Sequence, residues 1–302
     1  MALPEGVKMR FDHISIAVKS IDAAETFFTR YFPIIPRTER TQSDQLSGSF
    51  FWKDFYLGGF PIELIEDQFG REGFVTRFIG RHGEGFHHLS LEVNHLALIL
   101  ERMRADGVRI VDEQEFESGS RTAFVSPRSA FGTIIQFWEV PDYDQVRAKP
   151  KDDGRARLDH VSLAVRDISS ALEFFQSYFP TRIIRPKGMS GSSGDFMLAQ
   201  VEVAGLKLEF IQTPPKGAVG DDFVGRFIKR HGQGLHHMAI EVVDFDRTLL
   251  KLQADRIRIV DERVNRRGRR QFFISPKAAF GTLIQVWDGV REGGSGRELH
   301  LD

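Results

Sequence analysis

Apolar and polar residues follow two regular patterns along this chain, and together they predict alternating strands and helices. Residues 14–18 alternate between apolar and small or polar side chains, as in a strand with one face on an apolar layer. From Asp22 to Phe32 the apolar residues recur at helical spacing, after a candidate N-cap at Ser20 or Asp22. Similar patterns predict strands near 50–57, 60–65, 88–93, 108–112, 121–125 and 133–138, and helices at 74–82 and 96–106. The first half of the chain therefore contains two βαβββ units.

The same plan returns in the second half, so the chain contains four such units. Residues 11–18 return as 158–165, and Gly85-Phe86-His87-His88 returns as Gly234-Leu235-His236-His237. A duplicated core needs only apolar positions to repeat. Polar residues that repeat in register are therefore candidates for chemistry.

Strand alternation also predicts which side chains face one another. His88, Ser90 and Glu92 share one strand face, while the leucines between them share the other. Two such sheets side by side would form a cup lined by polar faces. By the same alternation His87 and His236 point away from the cup, and we interpret them as structural.

Composition narrows the chemistry. The net charge is -1 and basic residues are interspersed with acidic ones, which argues against a nucleic-acid partner. The chain has no cysteine, so any metal ion must be held by nitrogen and oxygen ligands. The N-terminus lacks the features of a signal peptide, and no apolar run approaches the roughly 18 residues of a membrane span. We therefore expect a cytoplasmic protein with no membrane partner.

The repeat and the polar segments set the expected domain limits. We predict a first domain at 8–141, a polar, proline-bounded linker at 142–156, a second domain at 157–289 and a disordered tail at 290–302.

The repeated motifs resemble those of the vicinal oxygen chelate superfamily, which includes glyoxalases, bleomycin resistance proteins and dioxygenases, and are most similar to methylmalonyl-CoA epimerase. The motifs that carry this resemblance in the first half are residues 12–18, 59–64, 81–88, 108–113, 126–128 and 131–136, and all recur in the second half. The resemblance implies an α+β fold in which four βαβββ units form two glyoxalase-like domains with cupped mixed sheets.

The resemblance also implies one divalent metal ion per domain, with Zn, Co, Ni, Mn and Fe(II) all open. Carried over to this sequence, the implied ligands are His13, Glu63, His88 and Gln136 in the first half and His160, Glu209, His237 and Gln285 in the second. Two imidazoles, a carboxylate and an amide oxygen suit such a metal. The epimerase has a Glu where Gln136 and Gln285 stand, and a Gln cannot accept a proton.

The resemblance implies a metal-dependent epimerase or isomerase that stabilises an enolate of an oxygen-chelating small molecule, such as an acyl thioester or a 2-oxo or hydroxy acid. Proton transfer next to a carbonyl needs an acid or base near the metal. The candidates for this catalytic role are Glu92, Glu241, Asp54 and Asp195.

Two alternatives remain open. One is an Fe(II)-dependent dioxygenase of the extradiol or 4-hydroxyphenylpyruvate type, because two histidines and one carboxylate form a facial triad. The other is a binding protein of the resistance type that does not catalyse a reaction. The sequence also leaves a monomer and a homodimer as alternatives.

Overall fold

The structure is a computed structural model of the 302-residue chain. It describes residues 4–45, 48–68, 73–145, 154–190, 196–214, 222–265 and 268–289. The predicted tail and residues 146–153 of the predicted linker lie outside this described part of the chain.

The two halves contain the same elements in the same order. The first half contains strands β1 (Met9–Ala17), β2 (Ile34–Pro36), β3 (Thr41–Gln45), β4 (Gly48–Leu57), β5 (Phe60–Asp67), β6 (Gly85–Val93), β7 (Ile110–Glu115), β8 (Arg121–Val125) and β9 (Ile134–Glu139), with helices α1 (Ile21–Tyr31), α2 (Phe74–His82) and α3 (Leu96–Ala105). The second contains β10 (Ala156–Ala164), β11 (Thr181–Met189), β12 (Met197–Val203), β13 (Leu206–Gln212), β14 (Gly234–Val242), β15 (Ile259–Val264), β16 (Arg270–Ile274) and β17 (Leu283–Asp288), with helices α4 (Ile168–Tyr178), α5 (Phe223–His231) and α6 (Phe245–Ala254) and a short 3-10 helix (Pro276–Ala278).

Each half forms one mixed sheet in which its two βαβββ units lie side by side. The first sheet has the order β2-β4-β5-β1-β6-β9-β8-β7, with β3 beside β4, and the second has the order β11-β12-β13-β10-β14-β17-β16-β15. The first strands of the two units, β1 and β6, are antiparallel neighbours at the centre, and each pairs in parallel with the last strand of its own unit. This arrangement confirms the predicted α+β class and the two glyoxalase-like halves.

Apolar residues pack on both faces of the sheets, in one large core and two small clusters. Helices α1, α3, α4 and α6 contribute to one large core that contains residues of both halves. Helices α2 and α5 pack on the other face, each over a small cluster of its own half. The four core helices therefore bury the apolar strand faces, and α2 and α5 lie beside the polar ones.

The shared core joins the halves through pairs of equivalent contacts. The ring centres of Phe27 and Phe280 lie 5.9 Å apart, and those of the matching pair Phe131 and Phe174 lie 5.7 Å apart. Phe137 of the first sheet stacks on Phe179 of the second half at 5.9 Å. Although each half is long enough for a core of its own, the two halves bury theirs together.

A glycine turn of each half also contacts the backbone of the other half. Gly281 has φ +73°, and a Cβ at this position would lie 1.5 Å from the carbonyl oxygen of Glu84. The equivalent Gly132 has φ +77°, and its Cβ would lie 1.8 Å from the carbonyl oxygen of Gln233. Only glycine fits at these two positions. The turn before β17 thus contacts the start of β6, and the turn before β9 contacts the start of β14.

Most predicted elements are present, and the additions are short. The hairpin of β4 and β5 turns at Gly58-Gly59, α2 spans the predicted residues, and Ser20 caps α1 by accepting a hydrogen bond from the Ala23 N–H. Strands β2 and β3 were not predicted individually. β3 pairs with β4, and because all of its residues are polar it carries no apolar alternation. β10 begins at Ala156, within the predicted linker.

Candidate metal centre

Two irregularities in the pairing of β1 with β6 set the direction of the site residues. The pairing skips Asp12 between Phe11 and His13, and it skips His87 between Phe86 and His88. An extra residue of this kind re-aims the side chains beside it. Consequently Asp12 and His13 both line the cup, and so do His87 and His88. The second half has the same shifts at Asp159 and His236.

His13, His88 and Glu63 meet at the centre of the first cup. The two Nε2 atoms of the histidines lie 3.1 Å apart, and Glu63 Oε2 lies 3.3 Å from His13 Nε2 and 3.8 Å from His88 Nε2. All three side chains are buried. Ligand atoms that bind one metal ion at about 2.0–2.2 Å lie roughly 3–3.6 Å from one another. The two separations from His13 Nε2 fall within this range and the third is slightly longer, so the three donors are arranged as candidate ligands of one ion.

Gln136 completes the set on the last strand of the second unit. Its Nε2 donates a hydrogen bond to Thr122 Oγ1 at 3.2 Å, which fixes the amide. Its Oε1 is buried, and among the described residues it has no hydrogen-bond partner. A buried acceptor without a donor is unfavourable, and a cation would satisfy it. The residues present thus fit a divalent metal held by two nitrogens and two oxygens.

The second half repeats this arrangement. His160 and His237 place their Nε2 atoms 3.2 Å apart, and Glu209 Oε1 lies 3.6 Å from His160 Nε2. Gln285 donates from Nε2 to Gln271 Oε1 at 2.9 Å, and its Oε1 is buried without a partner in the described chain. Within the part of the chain that the structure describes, two clusters, one in each half, could hold a metal ion.

Neighbouring polar groups orient the histidines. Asp12 Oδ2 lies 2.9 Å from His13 Nδ1, and Asp159 Oδ2 lies 2.6 Å from His160 Nδ1. A carboxylate at Nδ1 holds the ring so that Nε2 faces the centre, as is usual for metal-binding histidines. Sequence analysis did not give Asp12 and Asp159 a role, although both repeat in register next to a predicted ligand.

The electrostatics of the first cluster favour positive charge at its centre. Burial lowers the pKa of His13, but Glu63 and Asp12 raise it by more, so its pKa lies well above the usual 6.5. Burial, His87 and His13 hold the pKa of His88 well below 6.5, and Gln136 partly opposes that shift. The carboxylates therefore stabilise one positive charge among these side chains.

His87 lies behind the cluster rather than away from it. Its Nδ1 is 2.8 Å from His88 Nδ1, and its ring packs against Phe74 and Phe78 of α2. Burial lowers its pKa to about 4, which keeps the ring neutral. The strand alternation predicted the opposite direction, because a periodicity of two cannot anticipate the extra residue at His87.

Asp54 is the predicted catalytic residue that the fold brings to the first cluster. It lies opposite Glu63 in the pairing of β4 with β5 and lines the same cavity. Its Oδ2 accepts from Arg37 Nη1 at 3.0 Å, while its buried Oδ1 has no partner within the described residues. Burial and then the charge of Glu63 raise its pKa to about 7.

The second half differs at this position. Gln200 lies opposite Glu209 and donates to its Oε2 at 2.9 Å. The counterpart of Asp54 is therefore an amide. Asp195, the candidate suggested by sequence for this half, lies outside the described residues.

The other two catalytic candidates lie elsewhere. Glu92 is buried in an ion pair with Arg10, and Glu241 contacts both Arg157 and Arg269. Glu92 does not contribute to the described lining of the first cavity. Each of these carboxylates is paired with an arginine side chain, so neither is placed to accept a proton beside the cluster.

The first cluster opens into a cavity of about 530 Å³. This volume lies in the range of small-molecule sites. The wall combines aromatic side chains with arginines and histidines, among them Phe50, Trp52, Phe74, Arg77, Phe78, Arg81 and Trp138.

Comparison with known proteins agrees with the internal repeat. The sequence profile of the Glyoxalase/Bleomycin resistance protein/Dioxygenase superfamily matches residues 12–124 and 159–273, more than half of the chain. The chain belongs to this superfamily. Both matched segments begin at the Asp-His pair of their half. Membership confirms the resemblance inferred from the motifs, and members of the superfamily commonly bind a divalent metal and act on small molecules.

Two curated relatives each match about one half of this superfamily member. YqjC of Bacillus subtilis is 26% identical over 132 residues, which are 43% of this chain and 90% of YqjC. Bovine mitochondrial methylmalonyl-CoA epimerase is 26% identical over 133 residues, 43% of this chain and 73% of the epimerase. A variant of 4-hydroxymandelate synthase from Streptomyces coelicolor has a TM-score of 0.60 at 15% identity, covering 94% of both chains, which shows a shared fold. No helix among the described residues is long and apolar enough to span a membrane.

Proposed function

We propose that the first half is a metal-dependent isomerase or epimerase site, in which Asp54 moves a proton at a carbon next to a carbonyl group. His13, Glu63, His88 and Gln136 would hold the metal ion. A divalent ion bound there would polarise the carbonyl and acidify the adjacent C–H bond. The substrate would be an oxygen-chelating small molecule such as an acyl thioester or a 2-oxo or hydroxy acid.

The observation that carries this proposal is the position of Asp54. A proton-transfer group must lie within reach of the reacting carbon and must keep an oxygen available. Asp54 lies opposite Glu63 and lines the same cavity, and its Oδ1 is buried and has no partner among the described residues, so a proton from a substrate would satisfy it. Arg37 holds the other oxygen, which fixes the direction of the carboxylate.

The proton transfer follows from these contacts. Asp54 Oδ1 accepts the proton, so the substrate C–H bond breaks, an O–H bond forms, and the electron pair moves onto the substrate carbonyl oxygen. Asp54 then returns the proton either to the same carbon or, when that carbon carries a hydroxyl group, to the former carbonyl carbon; in the second case the hydroxyl proton moves to the enolate oxygen, and the hydroxyl-bearing carbon becomes the new carbonyl. Because Gln136 cannot accept a proton and Asp12 is bonded to His13, one carboxylate serves both steps. Transfer on one face of the substrate favours isomerisation over epimerisation.

The second half has an amide where the first half has the proposed proton-transfer carboxylate. Gln200 occupies the position of Asp54 in the second half and has no proton-accepting oxygen of comparable basicity. We therefore propose that the second half binds a metal ion without catalysing this proton transfer.

Deuterium exchange tests the proposal. Metal-loaded protein in D2O is incubated with a panel of acyl thioesters and 2-oxo acids, and incorporation next to the carbonyl is followed by NMR. Asp54→Asn should slow exchange by about 10²–10⁴-fold and leave two metal ions bound. Gln200→Ala, at the matching position, should leave the rate unchanged. Full exchange in Asp54→Asn would contradict the role of this carboxylate.

The dioxygenase alternative also has a specific observation in its favour. His13, His88 and Glu63 supply the two nitrogens and one carboxylate of an Fe(II) facial triad. Oxygen uptake by iron-loaded protein with a catechol or a 2-oxo acid, together with no deuterium exchange, would favour that function. Tight binding of an unchanged ligand would favour the binding-protein alternative.

A further inference from the structure

The candidate ligands repeat between the two halves, but the charges beside them do not. Each cluster has two histidines, a glutamate and a glutamine. In the first half a second carboxylate stands next to the glutamate, because Asp54 lies opposite Glu63 in the pairing of β4 with β5. In the second half Gln200 lies opposite Glu209 and donates to its Oε2 at 2.9 Å. At this position the second half therefore has one carboxylate fewer.

A lysine adds positive charge next to the second cluster. Lys207 Nζ lies 2.8 Å from Asp159 Oδ1, and the other oxygen of this carboxylate lies 2.6 Å from His160 Nδ1. The register of β10 with β13 and of β1 with β5 matches Lys207 to Pro61, which carries no charge. The carboxylate that supports the first histidine of the second cluster is thus paired with a lysine that the first half does not have at this position.

The arginines beside the clusters do not create this difference between the halves. Two arginine positions are common to both halves: Arg10 and Arg37 in the first, and Arg157 and Arg185 in the second. The spacing of the donors is also alike, because the two histidine Nε2 atoms lie 3.1 Å apart in the first cluster and 3.2 Å apart in the second. The substitutions at the positions of Asp54 and Pro61 therefore change the charge and leave the ligand atoms in place.

Both substitutions disfavour a divalent cation in the second cluster. A metal ion with two positive charges binds more tightly where its surroundings are more negative. A carboxylate next to a metal-binding histidine raises the basicity of the ring. Lys207 offsets the charge of Asp159, so less of that charge supports His160. The hydrogen bond from Gln200 acts in the same direction on the carboxylate of Glu209.

We infer that the two clusters fill in order, with the first binding a divalent metal ion more tightly than the second, and that the charge of Lys207 sets much of this difference. At limiting metal the ion would lie in the cluster beside Asp54. This inference rests on the proposed function only in treating both clusters as metal centres, and its test needs no turnover.

Zinc titration of proteins with one intact cluster tests the order of filling. His160→Ala leaves the first cluster, and His13→Ala leaves the second. Each protein is titrated at pH 8 with zinc in competition with a chromophoric chelator. The second cluster should bind zinc at least about tenfold more weakly than the first. Equal affinities of the two clusters, or no zinc binding by either protein, would overturn the inference.

Variants of Lys207 in the His13→Ala protein test the role of its charge. Lys207→Met should tighten zinc binding about tenfold, whereas Lys207→Arg keeps the charge and should keep the low affinity. Lys187→Met is the matched control, because Lys187 belongs to the same half, has a side chain 29% exposed against 31% for Lys207, and pairs with Asp167 at the start of α4. Unchanged affinity in Lys207→Met, or an equal gain in Lys207→Arg or Lys187→Met, would overturn the role of the charge.

Deuterium exchange separates this inference from the proposed function. Exchange is measured at saturating zinc, where both clusters are filled whatever their relative affinities. Full exchange in Asp54→Asn would contradict the proton transfer and leave the order of filling intact. Equal zinc affinities of the two clusters, with exchange slowed in Asp54→Asn, would overturn the order of filling alone.

Discussion

The contact of Gly281 with Glu84 offers a direct test of how the two halves are joined. The perturbation is Gly281→Ala, which adds one methyl group at a position with φ +73°. Gly107→Ala is the matched control, because Gly107 has φ +77° and a Cβ there would meet nothing within 4 Å. The two variants share the backbone cost and differ in the contact.

The expected magnitudes follow from the geometry. An alanine in the left-handed region costs about 1 kcal/mol relative to glycine, and this is the whole expected effect at Gly107. At Gly281 the new methyl would lie 1.5 Å from the Glu84 carbonyl oxygen, whereas ordinary contacts begin at 3.4 Å. The turn and the start of β6 must therefore separate by about 2 Å, and a backbone atom cannot rotate away. Displaced packing of this kind raises the expected loss to about 4 kcal/mol or more.

Urea unfolding followed by circular dichroism measures both variants against the parent. We expect Gly107→Ala to retain the parent slope and lose about 1 kcal/mol, and Gly281→Ala to lose at least about 3 kcal/mol more or to fail to fold. Because β6 carries His88, a folded Gly281→Ala should also bind metal less tightly at the first cluster than Gly107→Ala does. Equal losses of stability in the two variants would refute the tight contact between the halves.

Three further predictions concern the clusters and one helix cap. His13→Ala and His160→Ala should each remove one equivalent of metal by elemental analysis, and loss of both equivalents in either variant would contradict independent clusters. Asp12→Asn should weaken metal binding at the first cluster by about 10–100-fold without affecting the second, as measured by competition with a chelator. Asp167 caps α4 by accepting hydrogen bonds from the Ser169 and Ser170 N–H groups, and those bonds and the Ser170 hydroxyl lower its pKa to about 2. Because its pKa is lowered, the ionised Asp167 contributes stability at pH values above the usual 3.8, and this contribution is lost as the pH falls through about 2. We therefore expect Asp167→Ala to cost about 1 kcal/mol of unfolding free energy at pH 7 and less near pH 2, as measured by urea unfolding. An equal cost at both pH values would contradict the role of the charge.

Much of the fold follows from local patterns. The apolar periodicity of residues 14–18 and 22–32 predicts a strand and a helix that the structure contains as β1 and α1. The duplication supplies the second half. β2 and β3 are missed because a short strand and a polar edge strand have no apolar alternation to detect. The shared core is missed as well, because pairs such as Phe137 and Phe179 belong to different halves.

The sequence by itself determined which residues are candidates, because side chains that repeat in register beyond the needs of a core stand out in one chain. His13, Glu63, His88 and Gln136 were found in this way, and the structure brings the first three together. Only the tertiary structure decided which carboxylate accompanies them. Asp54 reaches the cluster through its pairing with Glu63, whereas Glu92 is held by Arg10.

The tertiary structure also decided the direction of residues beside a strand irregularity. Asp12 and His87 line the cup because β1 and β6 each accommodate one extra residue in their pairing. Periodicity describes one strand at a time, whereas an extra residue is defined only by the register between two strands. The residue types were therefore readable along the chain, and their arrangement around one point required the packing of strands that are distant in sequence.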